Sequence, residues 1–260
     1  MDVRFCGNDH EDNPAQGLCD EYRLSDLADL ADLRVFADRI EAEQPDHRVL
    51  FSLDDIHQAM YTSGHARMKH GLDDTAGFDL SGLPDACFED GEHRGYLTTK
   101  AEFFIRAGNF ARLVADATFE DACRFDLTLN QEALDDWFGF QDDPLALPDR
   151  PVAALPVPAQ APEDMLAAFP NGYFTCDLSP ALTFAVARHF RQAHGYALFG
   201  IGASWLGLWR RTPPSVAELD RITSDVRALY HIDDAAWRGL YPRVASAIAG
   251  RSHLWLRYTE

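Results

Sequence analysis

Histidine and cysteine are the residues here with the widest chemical repertoire, and their spacing argues against most of it. A tetrahedral metal site needs closely paired ligands. The nearest approach is Cys6-x3-His10-x8-Cys19, set among Asp9, Glu11 and Asp12. With no second Cys-x2-Cys or His-x3-His element to complete it, the stretch reads as an acidic N-terminal segment, and no metal is assigned. His65 and His70 stand five residues apart, about 140° around a helix, and so on different faces. His189 falls on an apolar stripe, where an imidazole is either a core residue satisfied by one hydrogen bond or a base in a pocket.

Nucleophile and nucleotide motifs are equally incomplete. Gly202-Ala203-Ser204-Trp205-Leu206 lacks the final glycine of a nucleophile elbow and lies in a hairpin pattern, not a strand-to-helix turn. Gly200-Ile201-Gly202 has neither the third glycine nor the following helix of a dinucleotide fingerprint, and neither lysine of the chain, Lys69 or Lys100, stands in a Gly-Lys-Ser/Thr phosphate loop. No catalytic residue and no cofactor are assigned. The acid pairs Asp54-Asp55, Asp73-Asp74, Asp135-Asp136 and Asp142-Asp143 could hold hard cations or serve as acid and base. Among 42 acids, however, adjacency is expected by chance.

Charge is the stronger signal. The 260 residues carry 42 Asp and Glu against 23 Lys and Arg, a formal net charge of -19. That excess argues against a nucleic acid or an anionic membrane as the main partner. Residues 1–150 hold 33 acids and 13 bases, whereas residues 151–260 hold 9 and 10. A genome-wide compositional pressure would act on both parts alike, so the asymmetry points to an acidic partner-facing surface, assigned to Asp54, Asp55, Asp73, Asp74, Glu89, Asp90 and Glu92. In the second part Arg210, Arg211, Arg251, Arg257 and His253 fall near strand ends beside Trp205, Trp209 and Trp255, a combination that could bind an anion. His189, Arg210, Arg257 and His253 are the candidate ligand-binding residues.

The elements that must position these groups read most clearly in the second part. Ser179-Pro180 supplies an N-cap and first-turn proline for a helix to about His194, with Tyr173–Cys176 expected as a strand before it. Residues 196–201 and 204–209 form a hairpin about Gly202-Ala203. Ser215 and Glu218 make a capping box for a helix to about Tyr230. A helix interrupted by Pro242 and a strand over residues 253–258 follow. In the first part a strand over 48–53 and a helix capped by Ser52 with Asp55 and running through Met60 are expected. For residues 99–115 a strand pattern competes with a helix capped by Thr99 and Glu102, and the Phe103-Phe104-Ile105 cluster tips the reading to strands. Cys123, Phe125, Leu127 and Leu129 alternate as a strand would, ahead of a short helix from Gln131. Six of the 14 prolines lie between Pro144 and Pro162, which predicts an extended connector unable to join a sheet interior.

His194-Gly195-Tyr196-Ala197 running into a strand, Pro213-Pro214, the capped helix ending near Tyr230 and the closing Trp255-Leu256-Arg257-Tyr258 strand together resemble a bacterial domain family of unknown function, over residues 173–258. The family's closing strand is usually richer in Trp. The resemblance implies a fold and brings no active site with it.

The predicted fold class is α+β with mixed or antiparallel sheets. Its C-terminal part is expected as a split βαβ, ferredoxin-like variant with one extra helix. The predicted organisation is an acidic domain over 1–143, a linker over 144–162 and a second domain over 163–260. Met1 to Phe5 shows no secretory signal pattern, the 14-residue apolar stretch from Tyr196 to Trp209 is too short for a bilayer, and five irregularly spaced cysteines fit a reducing cytoplasm. The function expected from the charge is that of an acidic binding protein, such as a bacterial immunity protein or antitoxin masking the basic cleft of a toxin, for example a nuclease. The alternative is an enzyme or small-ligand binder with an anion-binding His/Arg pocket between the domains.

Overall fold

A computed structural model describes residues 1–259. In chain order it contains β1 (Asp2–Gly7), β2 (Glu21–Ser25), α1 (Leu30–Glu43), β3 (His47–Ser52), α2 (Ile56–Lys69) and the short strands β4 (Phe88–Glu89) and β5 (Glu92–His93). There follow α3 (Phe103–Val114), α4 (Phe119–Arg124), α5 (Gln131–Asp142), β6 (Val152–Pro158), α6 (Pro180–His194), β7 (Ala197–Ile201), β8 (Trp205–Trp209), α7 (Val216–Leu229), α8 (Asp234–Ile248) and β9 (His253–Arg257). Seven strands form one sheet in the order β1-β2-β6-β3-β7-β8-β9, and β4 and β5 pair separately as a hairpin. The fold is α+β. The large sheet is antiparallel except where β3 runs parallel to β7.

The proline-rich stretch corrects the expectation of a connector outside the sheet. β6 lies between β2 and β3, so the boundary read at 144–162 falls inside a sheet built from both parts of the chain. Its pairing explains how prolines are tolerated there. β2 contacts only Val152–Ala154, whereas Pro156 and Pro158 pair with Val49 and His47 of β3 alone. Prolines two residues apart lose donors on the same side of a strand, and a segment with one neighbour has an edge to spare. The aromatic core also crosses the predicted boundary, through ring contacts from Tyr22 to Phe36, Phe36 to Phe51, Phe51 to Phe199 and Phe199 to Trp255.

A split βαβ unit does occur, but in the first part of the chain. β2 and β3 are each antiparallel to β6, hence parallel to one another, with α1 as the crossover and β6 in the gap. Tyr173–Cys176 is irregular backbone, and β7, β8 and β9 form an antiparallel series. Two further strand readings fail. Thr99 with Glu102 forms a capping box that leads into α3 where alternation had suggested strands, and of the stretch Cys123 to Leu129 the first two residues close α4, which starts at the capping box of Thr118 with Asp121, while the rest is irregular backbone. Satisfied N-terminal donors and the buried helical face of Phe103, Phe110 and Val114 outweigh the β propensity of Phe-Phe-Ile. The caps at Ser179 and Ser215 and the β7–β8 hairpin lie as the sequence predicts, whereas Ser52 stays in β3 with its hydroxyl accepting from the Ala153 amide at 2.8 Å, Asp55 alone caps α2, which runs on to Lys69, and α8 continues through Pro242 without a break.

The two sheet edges differ. β9 is covered by α5, whose Trp137 Nε1 donates to the Trp255 carbonyl at 2.7 Å while Trp255 Nε1 donates to the Phe140 carbonyl at 2.9 Å. β1 is exposed. Among the described residues no helix is long and apolar enough to cross a membrane.

Candidate functional site

At the end of the sheet where β3 and β7 begin and β8 ends, a cleft of about 480 Å³ opens between α1, the start of β3 and the residues following β8. It is lined by Arg34, Arg48, Arg210 and Arg211, against Asp38 and Glu41 of opposite charge. Four guanidinium groups in one cleft are notable in a chain of net charge -19. They converge because α1 presents Arg34, Asp38 and Glu41 at helical i, i+4, i+7 spacing beside β3, while β8 delivers Arg210 and Arg211 where its pairing ends.

Three of the guanidiniums are held in place by their surroundings. Arg34 lies 4.9 Å over the Trp209 ring and donates from Nη2 to the Arg210 carbonyl at 2.9 Å. Burial, and the Arg211 charge beside it, lower the Arg34 pKa although Asp38 opposes them. Arg210 donates from Nη2 to Glu218 Oε1 at 2.8 Å and lies 5.4 Å over the Tyr196 ring. Hydrogen bonds from the Ser215 hydroxyl and amide, with the Arg210 contact, hold the Glu218 carboxyl down at about 2. Burial pushes the Tyr196 phenol up to about 12. Arg210 Nη1 is buried without a well-formed hydrogen bond, and so is the Tyr196 hydroxyl. Arg48 is anchored through Nη1 to the Pro45 and His47 carbonyls at 2.9 and 2.7 Å. Among the described residues only Arg210 of the four is in an ion pair. The arrangement can take up a small anion through charge-assisted hydrogen bonds.

Of the four ligand-binding residues read from the sequence, Arg210 lines this cleft and the other three do not. Arg257 lies 5.7 Å over the Trp205 ring. His253 Nε2 is 3.1 Å from the Gln141 carbonyl, and burial lowers its pKa. His189 is on α6, with its Nε2 2.6 Å from Asp225 Oδ2. Arg34 and Arg48 were missed. The i, i+4, i+7 polar run on α1 was the available signal, but nothing local ties it to Arg210.

The seven candidate docking acids also separate. Asp54 is turned inward: its Oδ2 accepts from the Ser204 amide at 2.9 Å, its carbonyl accepts from the Ala203 amide at 2.9 Å, and burial pushes its carboxyl up to about 7. A Cβ at Gly202 would come 2.1 Å from Asp54 Oδ1, so the glycine is what lets this loop close over the carboxylate. Asp73 is engaged by Arg106 at 2.6 Å and Arg67 at 3.0 Å. These two acids serve the interior instead of a docking surface. Asp55 caps α2 through the Gln58 amide, Asp74 accepts from the Ala76 amide, and both are exposed. Glu89, Asp90 and Glu92 are exposed on the β4–β5 hairpin.

Cys6, His10 and Cys19 are not gathered. The Cys6 thiol faces the Arg4 carbonyl, His10 faces Glu21, and Cys19 is buried with its thiol pushed up to about 12. Among the described residues, the group of three metal-ligating side chains that does converge is His189, His194 and Asp225. No family model, curated protein or solved structure matches the chain.

Proposed function

We propose that the chain is a binding protein for a small polyanionic molecule, bearing phosphate or carboxylate groups, held in the cleft of Arg34, Arg48, Arg210 and Arg211. The observation that carries this reading is that three of these guanidiniums, among the described residues, make no ion pair although Asp38 and Glu41 line the same cleft and acids outnumber bases in the chain. A volume of about 480 Å³ suits such a ligand, since small-molecule sites run to roughly 300–1,000 Å³. Pyrophosphate and citrate are the probes, followed by calorimetry and by intrinsic fluorescence, Trp209 being in the wall. Saturable binding is expected, weakened roughly tenfold or more by Arg34→Ala and by Arg211→Ala. Affinity unchanged in the double variant would sink the reading.

A second reading, an acidic surface that docks onto a basic protein such as a toxin, draws support from the exposed Glu89, Asp90 and Glu92 on one hairpin. Its partner should elute at high but not low salt, and Glu89→Gln, Asp90→Asn, Glu92→Gln in combination should abolish capture.

A further inference from the structure

His189 and His194 of α6 reach Asp225 of α7 from two sides. His189 Nε2 lies 2.6 Å and His194 Nε2 2.7 Å from the same oxygen, Asp225 Oδ2. One imidazole would suffice to tie the two helices. The second adds a nitrogen donor at the same point. The rings are also held in orientation by neighbours: Phe119 stacks on His189 with centroids 3.9 Å apart and planes 4° apart, and Phe190 packs against His194 at 5.5 Å. His194 is nearly covered, at 4% side-chain exposure, whereas His189 and Asp225 are at 28% and 27%. The group is therefore rooted in the fold and open on one side.

We infer that His189 Nε2, His194 Nε2 and Asp225 Oδ2 form a site for a divalent transition-metal ion, with its remaining coordination position open to water or an exogenous ligand. The ligand atoms all lie within 4.8 Å of one another. Zinc bonds of about 2.0–2.2 Å require donor atoms roughly 3.3 Å apart, so the two imidazoles need to withdraw from the carboxylate by a fraction of an ångström and their nitrogens to settle at the same spacing from one another. Two nitrogen donors in three favour zinc-like ions over magnesium or calcium, which take oxygen. The proton balance is simple. The ion takes the place of the two Nε2 protons now directed at Asp225. A neutral imidazole moves that proton to Nδ1, and a doubly protonated one releases it to solvent. Three protein ligands and an open position are the plan of exchangeable and catalytic sites, as distinct from closed four-ligand structural ones.

The test is titration of the full chain with Zn²⁺ by calorimetry and with Co²⁺ by visible absorption. One ion per chain is expected, with a cobalt spectrum free of any sulfur-to-metal charge-transfer band. His189→Gln keeps an N–H donor for Asp225 while removing the imidazole, and Asp225→Asn removes the charge. Each should weaken binding about tenfold or more while circular dichroism remains that of the parent chain, whereas His57→Ala, at an exposed position on α2, should leave affinity unchanged. Absence of stoichiometric binding, a cysteine-type cobalt band, or affinity indifferent to His189→Gln and Asp225→Asn would overturn the assignment.

Discussion

Asp73 and Asp225 each receive two nitrogen-bearing side chains, yet the two clusters do different things. Around Asp73 the donors are Arg106, whose side chain is fully covered, and Arg67, which is nearly so. Guanidiniums stay charged across the ordinary pH range, even for Arg67, which burial and the adjacent Arg106 lower to about 10. Asp73 is thus a permanent lock joining α2 and α3 through the loop that carries it. Around Asp225 the donors are imidazoles, whose ring nitrogens possess a lone pair that a cation can use. The same stoichiometry of one acid and two donors gives a fixed strut in one place and an exchangeable one in the other. The difference lies in the chemistry of the donors and in how far water reaches them.

Removing Arg106 is the harshest way to break this contrast. Arg106→Ala leaves Asp73 with Arg67 alone in a partly buried setting and should cost about 3–5 kcal/mol, read as a lower midpoint in urea unfolding. A cost below 1 kcal/mol would show that Asp73 is as replaceable as a surface acid.

Asp54 sharpens the comparison because it is a covered carboxylate with no cation. Its folded-state pKa of about 7 lies above the unfolded value of about 3.9, so the folded chain holds a proton that the unfolded chain has lost between those limits. Stability should therefore fall as pH rises from about 4 to 7. Asp54→Asn should remove that slope and leave the variant more stable than the parent at pH 8 by about 4 kcal/mol, measured by denaturant unfolding at pH 5 and pH 8. Parallel profiles for the two proteins would refute this.

The smallest effect is expected at Asp225. Burial alone would raise its carboxyl, but hydrogen bonds from His189 and His194 outweigh burial and hold it well below the usual carboxylate range. A depressed acid contributes stability above its unfolded pKa and loses it as pH falls. Asp225→Asn should consequently cost about 1 kcal/mol near neutrality, and the gap to the parent should begin to close only as pH falls below about 4, towards the depressed folded-state pKa. A gap that shows no dependence on pH from neutrality down to the lowest pH at which the parent still folds would mean that the contact works through packing instead of charge.

The two histidine pairs five residues apart mark how far the sites were legible. The 140° argument separates His65 and His70 correctly: His65 stacks on Tyr173, and His70 Nε2 is buried without a partner. Applied to His189 and His194 it would mislead, because α6 ends at His194 with Gly195 in a left-handed turn, and Asp225 from another helix lies where both rings can reach. Likewise Arg210 was visible as a strand-end cation, while Arg34 and Arg48, more than 150 residues earlier, join it only through the crossing of α1 beside β3 and the β3–β7 pairing.

By itself the sequence determined what is local. Ser179, Ser215 and Asp55 start helices with their own side-chain oxygens, and the apolar runs around Gly202-Ala203 pair with their nearest neighbour. Capping and hairpin closure act within a few residues, so a pattern in the chain is enough to specify them. Tertiary structure decided where β6 inserts and which charges meet. Those outcomes depend on strands and helices distant in sequence competing for one apolar core, and that competition leaves no short-range pattern in the chain.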